Sequence, residues 1–285
     1  MIGYGHSVHL QTHWRDNQGG LLPLSPPRML TAFSTDFAHE FLKSQGDLFI
    51  RWESDFDQPD KSCWWHVIKD VPERLDELPK KTRYMIRKAS KAYEARPIDV
   101  KEIIHQGFRV YVKAYERYDT HEPMFDEDEF RKAVQELPDQ TEWWGVFDRE
   151  TERLVAFSEN YVESETCFYV TMWIEPEAMA KFAGYLLFHE MEVHYLQDRA
   201  FKYVSDGARS LSHDTNIHDF LIRKFNYRQA YAKLHVVHAP WLGAAVAVAY
   251  PFRNLIKKMP FSPLKKASIL LKQEEIRREC AKVAS

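Results

Sequence analysis

The stretch NIHDFLIRKFNYRQAYAKLHV, from Asn216 to Val236, limits most tightly what this chain can become. Its first half spaces apolar residues as a helix does and its second half reads as a strand, with nothing but Asn226 and its aromatic neighbours between them. Asparagine tolerates the left-handed backbone that ends a helix, and Phe225 and Tyr227 on either side are suited to pack into a core. The helix is short because the strand must return at once. Helix and strand succeed each other this closely in an α+β chain.

At 285 residues the chain can bury a substantial core, as one large domain or two modest ones. Its 45% apolar and 14% aromatic content excludes disorder for most of the length. A formal charge of -3 excludes a uniformly basic nucleic-acid binder, though not a local basic patch. Cys63, Cys167 and Cys280 lie far apart without CxxC pairing, which favours free thiols in a reducing compartment over a disulfide framework or a zinc knuckle. The first residues lack the basic start and apolar run of a secretory signal, and no run of about 18 apolar residues occurs. The expected location is the cytoplasm, with a peripheral place at the inner membrane face as the further option.

Turn residues in GGLLPLSPP, Gly19 to Pro27, predict a break after a short N-terminal arm. A helical pattern then covers Met29 to Lys43, and LFIRW and CWWHVI read as strands. From Lys80 to Lys91 come six basic residues (Lys80, Lys81, Arg83, Arg87, Lys88, Lys91) and no acidic one, with Met85, Ile86, Ala89, Ala92 and Tyr93 at helical spacing on the other side. Next are a strand over Ala95 to Val100, an amphipathic helix over Ile103 to Tyr118 and a second helix over Glu127 to Leu137 entered through Asp126. TEWWGVFDRETERLVAFSENYV is a hairpin turning around Asp148 to Glu152. CFYVTMWI, Cys167 to Ile174, is a strand, followed by one long helix from about Ala178 to Gln197 and a strand from Lys202 to Asp206.

This order resembles the GNAT superfamily of N-acyltransferases, and two stretches carry the likeness further. Phe225, Asn226 and Tyr227 stand where the closing GNAT segment turns from its last helix into its final strands. LPKKTRYMIRKASKAY is similar to the entry into the acyltransferase module of the Fem-type peptidyltransferases. The resemblance covers roughly Leu78 to Pro240, over half the chain. It implies an α+β fold: a GNAT-like mixed, mostly antiparallel twisted sheet flanked by helices. The segments it suggests are an N-terminal arm and partial α/β extension (1–77), the acyltransferase domain (78–240) and an amphipathic basic helical tail (241–285).

The resemblance also assigns a donor site, where backbone amides after the fourth strand hold the pyrophosphate of an acyl donor. The first turn of a helix presents free N–H groups and the positive end of its dipole to an anion. Here that turn falls in EAMAKFAGYLL, and Lys181, Phe182, Ala183 and Gly184 would hold the phosphates. The family signature, arginine or glutamine then glycine, any residue, and glycine or alanine, is incomplete here, so an ordinary helix start is the alternative. The donor implied is acyl-CoA or another acyl thioester, and Fem-type relatives use aminoacyl-tRNA. The sheet is expected to splay between the fourth and fifth strands, with Tyr169 to Trp173, Met172 included, and Tyr203 to Asp206 bordering the reacting carbon.

An amine must lose a proton before it attacks such a carbonyl, so a carboxylate or histidine within reach helps. Asp206 in YVSDG is the first candidate, its alternative being a loop cap through local hydrogen bonds. Glu159 and Glu163 share a strand face with Phe157 and Tyr161, either lining the cleft or forming a solvated edge. The tyrosine acid of many GNAT enzymes is replaced by Ile222 and Arg223, leaving Tyr231 as a substitute or as a core residue. No metal is expected. The histidines of HEMEVH are five apart and face different sides of a helix, and His6, His9 and His13 sit among glycines beside the break.

The basic run Lys80 to Lys91 suits phosphate, from a carrier arm, a sugar-phosphate lipid or tRNA, or else forms a solvated face. From Lys257 onward, eight basic residues against three acidic ones give +5, and the apolar run Trp241 to Ile256 precedes them. That tail suits an anionic membrane surface, or a helix covering the core or a second copy. The combined reading is an N-acyltransferase that moves an acyl or aminoacyl group from acyl-CoA, acyl-carrier protein or aminoacyl-tRNA to an amine acceptor such as a cell-envelope or glycan precursor. The alternative is a non-catalytic binding or scaffold protein on the same fold.

Overall fold

The computed structural model describes residues 5–9, 12–17, 19–29, 33–116, 123–211, 216–257 and 262–283. In chain order it begins with β1 (His6–His9), β2 (Thr12–Asn17), β3 (Gly20–Pro23), α1 (Thr35–Gln45), β4 (Phe49–Gln58) and β5 (Trp64–Lys69). Then come α2 (Lys80–Ala92), β6 (Tyr93–Ile98), α3 (Val100–Glu102), α4 (Phe108–Tyr115), α5 (Glu127–Gln135), β7 (Thr141–Asp148), β8 (Leu154–Glu163) and β9 (Thr166–Ile174). The remainder is α6 (Pro176–Ala180), α7 (Ala183–Glu192), β10 (Tyr203–Ala208), α8 (Asn216–Phe225), β11 (Arg228–His238), α9 (Pro240–Ala249), α10 (Arg253–Ile256) and α11 (Ser262–Val283). The fold is mixed α+β, mostly antiparallel strands flanked by helices, with a long C-terminal helix.

Two compact units result: Ile68–Gly207 with Asp219–Arg228, and Gly5–Val67 with Ala208–His218 and Gln229–Ser285. In the first, the strands run in the order β10-β9-β8-β7-β6. Neighbours from β9 to β6 are antiparallel, and β10 joins β9 in parallel. The β7–β8 hairpin closes on Asp148, whose Oδ1 accepts from the amides of Glu150 and Thr151. One face of this sheet buries Trp143 and Phe157 against Val110 and Phe130 of α4 and α5. On the alternate face the Asn160 amide donates to Met191 Sδ and to the Tyr195 hydroxyl, from α7 and the turn after it. Asp126 caps α5 in a reciprocal box with Glu129, which is why that helix starts where the acidic run begins.

Asn226 adopts φ 56°, and the Tyr227 amide reaches back to the Leu221 carbonyl at 3.4 Å. This is a left-handed helix end closed by one long backbone bond. Phe225 and Tyr227 are buried beside it, so the short helix and immediate strand follow from one residue's backbone tolerance.

In the second unit the order is β1-β2-β3-β4-β11-β5. Here the run Gly19 to Pro27 differs from the expected break: Gly20–Pro23 is a strand, with Leu21, Leu22 and Leu24 buried. Gly19, at φ 79°, supplies the turn, and the leucines supply the core that the arm was expected to lack. α1 is Thr35–Gln45 rather than Met29 to Lys43, because Ser34 accepts from the Phe37 amide and fixes the start there. Residues 229–240, assigned from sequence to the acyltransferase segment, lie in this unit, with β11 antiparallel to β4 from His238↔Phe49 through Lys233↔Ser54. His6, His9 and His13 occupy strands. Ile276 and Cys280 of α11 pack against Trp64, Ala232 and Leu234, so this part of the basic tail covers core.

Candidate functional site

β9 and β10 share the register pairs Tyr203↔Thr166, Val204↔Cys167 and Ser205↔Phe168, and then part. β9 runs on to Ile174 still paired with β8, while among the described residues no strand pairs with the edge it turned to β10. Two local features open this wedge. Gly207 has φ +86°, and a Cβ there would lie 2.8 Å from the Phe168 ring, so the backbone of β10 turns away over that ring as only glycine can. On β9 the register jumps from Asn160↔Tyr169 to Glu159↔Thr171, leaving Val170 as an extra residue that bends the strand.

The long helix expected over Ala178 to Gln197 is broken. α6 ends at Ala180, Phe182 takes φ 69°, and α7 starts afresh at Ala183. The amides of Lys181, Phe182 and Tyr185 are taken up within the turn, by Glu177 and Ala178, by Met179 and by Phe182. Ala183 and Gly184 come first in the new helix, where N–H groups lack intrahelical acceptors. Ala183 is buried, and a Cβ on Gly184 would meet Ile174 at 3.1 Å, so small residues let this helix start lie close on β9. After Glu192 the helix continues as a wider π turn over Val193–Asp198. The helix expected over Ile103 to Tyr118 likewise starts earlier, at Val100, contains a π turn at Ile103–Gly107 and ends near Tyr115, with 117–118 outside the described residues.

Positive charge collects at this start. Lys181 is exposed, and Lys88 of α2 places its Nζ 5.3 Å from the centre of the Phe182 ring. Among the described residues no carboxylate pairs with Lys181, nor with Lys80, Lys81, Arg87, Lys88 or Lys91 of α2. Arg83 instead donates to the Asp76 carbonyl.

Asp206 lies on β10 just past its last pair with β9, half-buried beside Gly207, whose amide is held by Ser205 Oγ. Glu159 lies on β8, across β9, and is buried, with Thr171 Oγ1 donating to it at 3.1 Å. Glu163 accepts from the Tyr161 hydroxyl at 3.0 Å. Met172 and Trp173 lie half-buried on the parted length of β9, Trp173 against Tyr111 and Tyr115 of α4. Tyr231 falls in the second unit, where its hydroxyl donates to Gln229 Oε1 at 2.9 Å.

Two clusters escaped the sequence reading. Glu192 of α7 is fully buried and bonded to Lys69 Nζ at 2.8 Å, and Lys69 also holds Glu73 at 3.0 Å, which in turn accepts from Asn226. Burial pushes Glu192 up to about 7 against the opposing pull of Lys69 and Tyr227. Burial, then Lys69, pushes the adjacent His189 down to about 4. A carboxylate inside the apolar run YLLFHEMEV was the visible signal. The other cluster centres on buried Glu175 at the end of β9, which pairs with Arg109, with Lys113 at 3.3 Å and with Arg153 at 3.7 Å. Among the described residues no group of His, Cys, Asp or Glu could hold a metal ion.

Parted parallel strands beside a helix start belong to a fold that this chain shares with solved structures. The chain is similar to the crystal structure of FemX, with TM-score 0.52 and 10% identity over 81% of this chain and 87% of that one. It is also similar to L-PGS from Bacillus licheniformis, with TM-score 0.51 and 12% identity over 96% of this chain and 90% of that one. The likeness is therefore one of fold, and it extends beyond Leu78 to Pro240 over most of the chain. No protein-family model matches the sequence, and no curated protein matches it.

Proposed function

We propose that the first unit is an N-acyltransferase that moves an acyl or aminoacyl group from a thioester or ester donor to an amine. The observation that carries this reading is the parting of β9 and β10 after Ser205↔Phe168. The exposed edge of β9 offers backbone groups along which the donor's tether can lie as an added strand. The phosphates then rest on the amides of Ala183 and Gly184, with Lys181 and Lys88 adding charge. Met172 and Trp173 border the tether and Phe182 shapes the turn.

In the reaction the amine nitrogen attacks the donor carbonyl, the C–N bond forms, and the C–S or C–O bond breaks. Asp206 takes the amine's proton, and the departing thiolate or alkoxide is protonated in turn. Glu159 is the second carboxylate candidate, held by Thr171. Tyr231 lies in the second unit with its hydroxyl bound to Gln229, and it has no part in this proposal.

Acyl-CoA, acyl-carrier protein and aminoacyl-tRNA are the donors to test, with amine-bearing cell-envelope or glycan precursors as acceptors. The experiment is calorimetric titration with each donor class, followed by transfer of a radiolabelled acyl group. Binding of one class with transfer to an amine supports the reading. Binding of none favours a scaffold protein on this fold, an alternative that draws on the incomplete phosphate signature around Lys181 to Gly184.

A further inference from the structure

The segment that follows β11 exposes apolar side chains in a continuous stripe. Trp241 is 64% exposed, Val248 74%, Phe252 59% and Leu255 57%. With exposed Ala244 and Ala245, these positions advance mostly by threes and fours along α9, the tight helical turn Tyr250–Phe252 and α10, and so share one side. The opposite side is anchored: Leu242 and Val246 are buried against Leu271 of α11. No charged residue occurs from Ala239 to Phe252. A surface helix of a globular protein ordinarily turns charge outward, so an all-apolar helix with one bare side is built for something other than water.

Charge begins where the stripe ends. Between residues 253 and 266 the sequence holds Arg253, Lys257, Lys258, Lys265 and Lys266 and no acidic residue. Lys257 is exposed, while Arg253 is bound to Glu275 at 3.0 Å. Two acids of α11 are already engaged, Glu275 also by Lys272 and Glu274 by Arg277 and Arg278, while Lys257 is exposed.

A second copy of the chain fits poorly, because a stable dimer takes roughly 20–30 residues a side, whereas the bare stripe has four large side chains. Aromatic and aliphatic groups edged by lysines match the headgroup boundary of an anionic bilayer. α9 is too short to cross: ten residues reach about 15 Å against a hydrocarbon core of about 30 Å. No helix of the described residues is long and apolar enough to span a membrane.

We propose that α9 and α10 form a bilayer-docking element that lies in the membrane plane, with Trp241, Val248, Phe252 and Leu255 in the headgroup–acyl boundary and Lys257 on anionic headgroups. The element belongs to the second unit alone, and its docking holds whether or not the first unit transfers an acyl group.

The test is flotation of the full chain with vesicles of phosphatidylcholine alone and of equimolar phosphatidylcholine and phosphatidylglycerol. The wild type is expected to float with the anionic vesicles. The double variant Trp241→Ser, Phe252→Ser should bind them at least about tenfold more weakly with an unchanged melting temperature, since both side chains are exposed. Lys257→Glu should weaken anionic binding and leave neutral vesicles unaffected. Should the double variant lose its fold, Val248→Glu gives the same comparison, and Trp241→Phe should remove part of the vesicle-induced blue shift of tryptophan emission. The proposal is overturned if the wild type stays behind with anionic vesicles, if the stripe variants float equally well, or if light scattering finds a dimer that Val248→Glu separates and no vesicle binding.

Discussion

β9 and β10 of the first unit share three register pairs and separate, whereas β4 and β11 of the second stay together from His238↔Phe49 to Tyr231↔Gln58 with a single irregularity. Residues at one crossing account for the difference: Gly207 lets the backbone turn over Phe168, and Val170 bends the facing strand. The buried carboxylates diverge in the same way. Burial pushes Glu53 of the second unit up, but His66, Arg51 and Trp64 outweigh it and hold Glu53 below the usual carboxylate range. For Glu192 of the first unit burial wins and pushes the group up to about 7. One unit thus keeps an open edge and an undecided proton, the other a closed sheet and a settled ion pair. Chemistry is expected from the first.

The sharpest way to break this contrast is to measure transfer after Asp206→Asn and after Tyr231→Phe, one in each unit. Loss of a general base lowers the rate about 10²–10⁴-fold, and that loss is expected for Asp206→Asn with donor affinity retained. Tyr231→Phe should leave the rate within about threefold, since its hydroxyl is already engaged by Gln229. Equal losses from both would put the second unit into the reaction.

Next in size is stability. Glu53→Gln removes the buried charge that accepts from Trp64 and faces His66 and the half-buried Arg51, which is expected to cost about 1.5–3 kcal/mol in urea unfolding at neutral pH. Glu192→Gln should cost far less, because the native carboxyl is itself largely protonated below pH 7. A reversed order would mean that the Lys69–Glu192 ion pair, not burial, governs that site.

The pH dependence separates the two carboxylates by sign. Glu53, depressed in the fold, stabilises above its unfolded pKa, and that contribution is lost as pH falls through the folded value. Glu192, raised to about 7, stabilises below its unfolded 4.5 and loses that contribution as pH rises through 7. His189, lowered to about 4 from 6.5, is lost as pH falls and so opposes Glu192 over their shared range. In unfolding series from pH 4 to 8, the stability of His189→Gln minus that of His189→Gln, Glu192→Gln should therefore fall as pH rises.

Much of the first unit was legible because its signals are local. Asp126 with Glu129 marks a helix start, the run around Asp148 a hairpin turn, and Asn226 a helix end, and each is settled by one side chain or one backbone angle. What stayed hidden depends on distant partners. Nothing near Glu175 in sequence announces Arg109 and Lys113, and Lys69 meets Glu192 across more than a hundred residues. The break at Phe182 was hidden because an aromatic residue seldom takes a left-handed angle, and here the overlying Lys88 and the neighbouring Tyr185 ring surround it. The N-terminal strand β3 was read as punctuation since glycine and proline flank its leucines, and its partners β2 and β4 make it a strand.

The smallest expected effect concerns what the open edge receives. Lys88 over Phe182 contributes about 0.5–1 kcal/mol as a cation above a ring, so Lys88→Ala should lower the melting temperature only slightly. Its effect on the donor tells more. If the donor is aminoacyl-tRNA, log affinity against log salt should flatten by about one with this lysine removed, and by a similar step for Lys91→Ala farther along α2. If the donor is acyl-CoA, phosphates reach only the start of α7, so Lys88→Ala weakens binding while Lys91→Ala does nothing. Lys257→Ala in the second unit should alter neither profile with a donor free in solution. A salt profile that responds to Lys257 would mean that the donor's charge is read outside the parted strands, and the contrast between the two units would then have to be drawn elsewhere.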